Sequence, residues 1–84
     1  MFYMYILKSR KDKNLYVGST SDLKKRLKEH SEGKVFSTRS RRPLELIYYE
    51  AYKVESEARN REKQLKHRGR ARAQLVKRIT ESLS

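Results

Sequence analysis

Phe2-Tyr3-Met4-Tyr5-Ile6-Leu7, the polar turn Ser9-Arg10-Lys11-Asp12-Lys13-Asn14 and Leu15-Tyr16-Val17-Gly18 together decide the fold. Aromatic and β-branched runs flank residues that tolerate turn geometry, and this pattern predicts an antiparallel hairpin. Alternation along a strand puts Tyr3, Tyr5 and Leu7 on one face and Met4 and Ile6 on the other. Folding the second strand back brings Tyr16 close to the first. Two phenols in neighbouring strands are either half of a catalytic site or a pair of good sheet formers.

The segment from Ser21 to His30 weighs between those readings. Ser21 suits a helix cap, and Asp22 in the first turn suits the positive end of the helix dipole. At roughly 100° per residue, Leu23, Arg26, Leu27 and His30 share one arc, while Lys24, Lys25, Lys28 and Glu29 point elsewhere. Arg26 and His30 therefore flank the leucine seam instead of following the lysines into solvent. An arginine at the edge of a core needs an anion, because an unpaired charge there is costly.

A second helix is expected over residues 53–66, with Val54, Ala58 and Leu65 as its buried stripe and Glu62 inside the same stripe. Glu55 and Glu57 are explained by the helix dipole, but Glu62 is not. A carboxylate on an apolar face either pairs with a cation, for which Arg26 is the structural candidate, or holds a metal. Between the two helices, Leu44 to Tyr52 reads as a third strand preceded by Pro43. Its tyrosines, Tyr48, Tyr49 and Tyr52, are expected to pack the sheet. Residues 33–43 form a basic loop whose Lys34, Arg39, Arg41 and Arg42 are expected to grip backbone phosphates; a mobile surface loop is the alternative. After Gly69, the stack Ala71, Leu75, Ile79 and Leu83 predicts a last amphipathic helix. The expected architecture is α/β: a three-stranded antiparallel sheet with about three helices. Residues 1–84 are read as a single domain, with a motif-bearing core at about 2–66 and a C-terminal helix at about 70–83.

Charge points to the partner. The 84 residues carry 22 Lys and Arg against 10 Asp and Glu, a net charge of +12. Such an excess of one sign repels itself and attracts polyanions over a long range. Membrane-surface binding would need a basic helix with an exposed bulky apolar face, and the apolar faces here are required for one small core. Cysteine is absent, which excludes disulfides and thiolate metal sites. The apolar run at Met1 to Leu7 is too short for a membrane span and has no basic segment before it, so a cytoplasmic location is expected.

The ordered set of Tyr, Tyr, Arg, His and Glu resembles the GIY-YIG nuclease family, specifically its small stand-alone bacterial branch. Tyr3-Met4-Tyr5-Ile6-Leu7 stands where the first motif would be, and Leu15-Tyr16-Val17-Gly18-Ser19-Thr20 where the second would be. Asp22 to His30 resembles the helix bearing the family's Arg and its His or Tyr. Ser56 to Lys66 resembles the helix bearing its metal-binding Glu. The sequence departs from the pattern at Tyr3, which replaces the first motif's Gly, and at Val17, which replaces Ile. The late Asn found in many members has no counterpart in His67-Arg68-Gly69-Arg70.

The resemblance implies hydrolysis of DNA phosphodiester bonds, in repair or processing of DNA. Tyr5 or Tyr16 would activate or position a water, given a lowered or relayed phenol pKa. Arg26 would neutralise charge growing on the phosphoryl oxygens. His30 would relay a proton. Glu62 would hold a single divalent ion, Mg²⁺ or Mn²⁺. DNA is the expected partner, with RNA as the alternative, and strong sequence specificity would require a dimer or a partner protein. The rival class is a non-catalytic basic module that holds DNA or RNA without cutting it.

Overall fold

The computed structural model describes residues 1–80. Strands β1 (Phe2–Ser9), β2 (Leu15–Thr20) and β3 (Leu44–Tyr52) form one antiparallel sheet in the order β2-β1-β3. Helix α1 (Leu23–Ser31) follows the hairpin, and α2 (Glu55–His67) and α3 (Gly69–Arg78) follow β3. This is the α/β architecture expected, and β3 occupies the span read from the sequence.

The hairpin turn is closed by its own side chains. Ser9 Oγ accepts from the amides of Lys11 and Asp12, each at 3.1 Å, and donates to the Arg41 carbonyl at 2.6 Å. Lys13 takes the left-handed conformation at φ 65°, and the Asn14 amide donates to Asp12 Oδ1 at 2.9 Å. Arg41 then clamps Asp12 at 2.7 Å, tying the turn to a short 3₁₀ turn at Arg39–Arg41.

Strand alternation sorts the two faces. Met4, Ile6 and Val17 bury themselves against Leu65 of α2 and Leu75 of α3, with Ala71 and Ile79 packed alongside. Each fully buried side chain of this size contributes about 1.5–3 kcal/mol, so these few residues carry much of a small core. Leu83, the end of the expected stack, lies outside the described residues. On the opposite face, Tyr5 and Leu7 are buried on the side of α1, whose Leu23, Arg26, Leu27 and His30 turn inward as the angular count required. A bulge between Ile6 and Leu7 inserts Ile47 into β3.

Three local expectations are corrected. The cap of α1 is Asp22, not Ser21: its carboxylate accepts from the Lys25 amide at 3.1 Å, and Ser21 lies outside the helix. Val54 is not part of the buried stripe of α2. It precedes the helix as its cap residue in extended conformation and is 50% exposed, leaving Ala58 and Leu65 as the buried positions. Arg26 does not pair with Glu62. Its guanidinium meets Glu29 at 3.3 Å, one turn along its own helix, because the two side chains start from opposite faces of the sheet.

Of the strand tyrosines, Tyr49 is 52% exposed and meets the Tyr3 ring edge-on, while the other two do more than fill space. Tyr48 and Tyr52 both donate to Glu50, and Arg61 of α2 adds a 2.9 Å ion pair to the same carboxylate. Burial pushes Glu50 upward, but these three donors outweigh it and hold the carboxyl below its ordinary range. The network fastens β3 to α2 on the core side of the sheet.

Candidate active site

Gly18 and Tyr5 are cross-strand partners in the β1–β2 register. The Tyr5 ring lies so close over Gly18 that a Cβ there would stand 2.5 Å from Tyr5 Oη and 2.6 Å from Cζ. Only glycine leaves room for that ring. Held in place, Tyr5 Oη makes a 2.8 Å hydrogen bond with His30 Nε2, and His30 Nδ1 makes a 2.7 Å hydrogen bond with Thr38 Oγ1. All three residues are almost fully buried, and no buried side-chain polar atom among the described residues lacks a partner.

Burial sets the protonation of this chain. Desolvation pushes the Tyr5 phenol up to about 12, although a hydrogen bond from Arg26 pulls the other way. Desolvation, aided by the field of Arg26, pushes His30 down to about 4. His30 is thus a neutral imidazole at pH 7. Tyr5 is a firmly protonated phenol, moved in the opposite direction from the lowering that its use as a base would require. In a neutral imidazole one ring nitrogen donates and the other accepts, so Tyr5, His30 and Thr38 form a one-directional chain of hydrogen bonds.

Tyr16 completes an aromatic triangle, with ring centroids 6.4 Å from Tyr5 and 5.3 Å from His30. Unlike Tyr5 it is only partly buried, because β2 is an edge strand and Tyr16 sits near its start. Arg26 also reaches solvent, with 37% of its side chain exposed. Its hydrogen bond to Tyr5 holds the guanidinium firmly charged.

Glu62 arrives from the other face of the sheet. Ser19, whose side chain alternates away from Gly18, donates to Glu62 Oε1, and Lys66 meets Oε2 at 2.7 Å. Burial pushes the Glu62 carboxyl up, but Lys66 and Ser19 outweigh it and keep the group below its ordinary range. Lys66 Nζ in turn stands 5.7 Å from the Tyr16 ring centroid. Lys66 therefore reaches Tyr16 around the edge strand, and Tyr16, Arg26 and Glu62 each act electrostatically on Tyr5.

A hard divalent ion would have to displace the Lys66 ammonium from Glu62. Its carboxylate is ionised and 20% exposed, and it stands beside a hydroxyl. Among the described residues there is no cluster of three or more His, Cys, Asp or Glu. A lone carboxylate suits Mg²⁺ or Mn²⁺, which keep water and phosphate oxygens as their remaining ligands, and does not suit Zn²⁺.

Each of the four loop cations has a partner within the protein. Arg41 is committed to Asp12; Arg42 donates to the Arg39 and Ser31 carbonyls; Lys34 pairs with Glu32 at 3.2 Å; and Arg39 lies over the Phe36 ring at 4.8 Å. Three contributors were not singled out by sequence reasoning. Lys66 had a legible signal, its i,i+4 spacing from Glu62. Ser19 had a weaker one, its alternation onto the Glu62 face. Thr38 had none, since a hydroxyl eight residues from His30 in a loop carries no pattern.

Comparison with known proteins places the chain in a family. The family model described as the GIY-YIG catalytic domain matches residues 1–76. A UPF0213 protein of Syntrophus aciditrophicus is 42% identical over 84 residues, covering 96% of this chain and 95% of its own. One of Clostridium perfringens is 45% identical over 67 residues, or 79% of this chain and 71% of the relative. The solution NMR structure of a UPF0213 protein from Bacillus halodurans superposes with a TM-score of 0.58 at 38% identity, covering 92% of this chain and 84% of that one. No helix among the described residues is long and apolar enough to cross a membrane. With the family model spanning most of the chain and the two tyrosine motifs lying on paired strands, the chain belongs to the GIY-YIG nuclease family.

Proposed function

We propose that this chain is a metal-assisted endonuclease that hydrolyses DNA phosphodiester bonds in cytoplasmic DNA repair or processing. The observation that supports the reading is that Tyr16, Arg26 and Glu62, all solvent-reaching, each act electrostatically on Tyr5, the head of the buried Tyr5–His30–Thr38 chain. Tyr16 is the phenol that can touch a water, since Tyr5 is 1% exposed. Tyr5 and His30 act behind it as positioning residues: both imidazole nitrogens are engaged, and the hydroxyl of Tyr5 is anchored on His30. Arg26 presents its fixed charge to the phosphoryl oxygens, where a pre-aimed cation stabilises charge as it develops. Glu62 would hold Mg²⁺ or Mn²⁺, which when bound supplies further positive charge at the phosphate.

The test is a cleavage panel with Mg²⁺ and Mn²⁺ on single-stranded, duplex, nicked, flapped and branched DNA, run beside Glu62→Gln. Metal-dependent cleavage by the parent and none by the variant is the expected result. Equal cleavage by both removes Glu62 from the metal site, and no cleavage of any substrate leaves a non-catalytic nucleic-acid-binding module.

A further inference from the structure

Phe36 is 80% exposed, yet the segment that carries it is pinned on both sides. Val35 before it is 7% exposed, and Thr38 after it is fully buried and bonded to His30. The Val35 carbonyl accepts from the amides of Thr38 and Arg39 at 3.1 and 2.9 Å, closing the turn around Phe36. A flexible loop would fold such a ring back onto the surface to bury it. Here the backbone holds it out. One ring face is taken by the Arg39 guanidinium, 4.8 Å from the centroid, and the neighbouring Ser37 Oγ lies 3.5 Å from Tyr16 Oη. The projecting ring thus stands one residue from a side chain that touches the candidate active site.

We propose that Phe36, backed by Arg39, is a stacking platform for an unpaired nucleobase beside the site of cleavage. This makes the preferred substrate a single-stranded or frayed nucleic acid instead of a fully paired duplex. The inference rests on nucleic acid being the partner, as in the proposed function. Aromatic rings stack on any base whose face is free, and Arg39 adds cation–π and phosphate attraction at the same spot. A base inside a paired duplex offers no free face to Phe36.

The test measures binding without divalent metal, so cleavage plays no part. Fluorescence anisotropy compares the parent, Phe36→Ala and Phe36→Trp on a single strand, a flap and a blunt duplex, with 2-aminopurine at the junction as a stacking reporter. Phe36→Ala is expected to weaken single-strand and flap binding by roughly tenfold, the scale of one lost base stack, and to abolish the 2-aminopurine quench. Phe36→Trp is expected to retain both, and duplex affinity to stay within about twofold, since no stack is lost there. Equal losses on all three nucleic acids, or none on any, overturn the inference alone. So does a concentration-dependent dimer in sedimentation that Phe36→Ala dissolves. A parent that binds no nucleic acid overturns it together with the nucleic-acid reading, whereas Phe36-dependent binding without cleavage overturns only the nuclease.

Discussion

Tyr5 occupies the space that a side chain at Gly18 would need, with Oη 2.5 Å from where that Cβ would stand. The ring cannot step aside, because it is buried and its hydroxyl is held by His30 at 2.8 Å. The glycine of the second motif is therefore a packing requirement of the first motif's tyrosine.

Gly18→Ala is expected to cost about 1–3 kcal/mol of stability, the scale for overpacking a filled core. It should also lower cleavage more than Tyr5→Phe does, because it displaces the whole ring. In a Tyr5→Leu background the same substitution should cost much less. Thermal melts over this double-mutant cycle check the relationship, and additive losses would contradict it.

Arg26 separates catalysis from stability more cleanly than the sequence alone allowed. Its ion-pair partner is Glu29, with about a third of each side chain exposed, so its removal strands no buried carboxylate. Arg26→Ala loses this pair and the interaction with Tyr5, and should shift stability by about 1–2 kcal/mol, well short of the loss from stranding a buried charge. Single-turnover cleavage should fall by about 10²–10³-fold, the scale for losing one preorganised charge stabiliser. A large drop in melting temperature with normal rates in the folded fraction would assign Arg26 to the scaffold.

His30 should give stability a pH dependence above the carboxylate range. Its folded pKa, about 4, lies below its ordinary 6.5, so the unfolded chain binds the proton more readily. Stability is therefore complete above pH 6.5 and is lost as pH falls toward 4, by up to about 1.4 kcal/mol per pH unit. Denaturant titrations from pH 7 to pH 5 should show this slope in the parent and lose it in His30→Gln. An unchanged slope in the variant would place its origin elsewhere.

Thr38→Val removes the partner of His30 Nδ1 without changing shape. The stranded nitrogen should cost about 1–3 kcal/mol, and Thr38→Ser should restore most of it. Cleavage should fall in the valine variant and recover in the serine one, read by single-turnover rates beside melts.

Glu50 supplies a contrast away from the site. Glu50→Gln weakens the ion pair with Arg61 and the bonds from Tyr48 and Tyr52, and should cost about 1.5–3 kcal/mol. Cleavage per folded molecule should remain at the parent level. Replacing Glu50 and Arg61 together by Leu should recover much of the loss, since the uncompensated charge is then gone.

Local periodicity by itself determined the elements and their faces. Period-two alternation in Phe2–Leu7, the Ile, Leu and Tyr content of Leu44–Tyr52 and the 3.6-residue arc of Leu23, Arg26, Leu27 and His30 are properties of a few consecutive residues. They required no knowledge of what lay opposite. The inward turn of Arg26 and His30 was legible for the same reason. Partnership was decided only in three dimensions. An angular count says that Arg26 and Glu62 both leave their solvent faces, but not that they approach the sheet from opposite sides and end on Glu29 and on Ser19 with Lys66. The β1–β2 register set Tyr5 over Gly18, and the 33–43 loop brought Thr38 behind His30. Those contacts depend on how separate elements dock, and their burial then moved the Tyr5 phenol upward when isolated side-chain chemistry had called for the reverse.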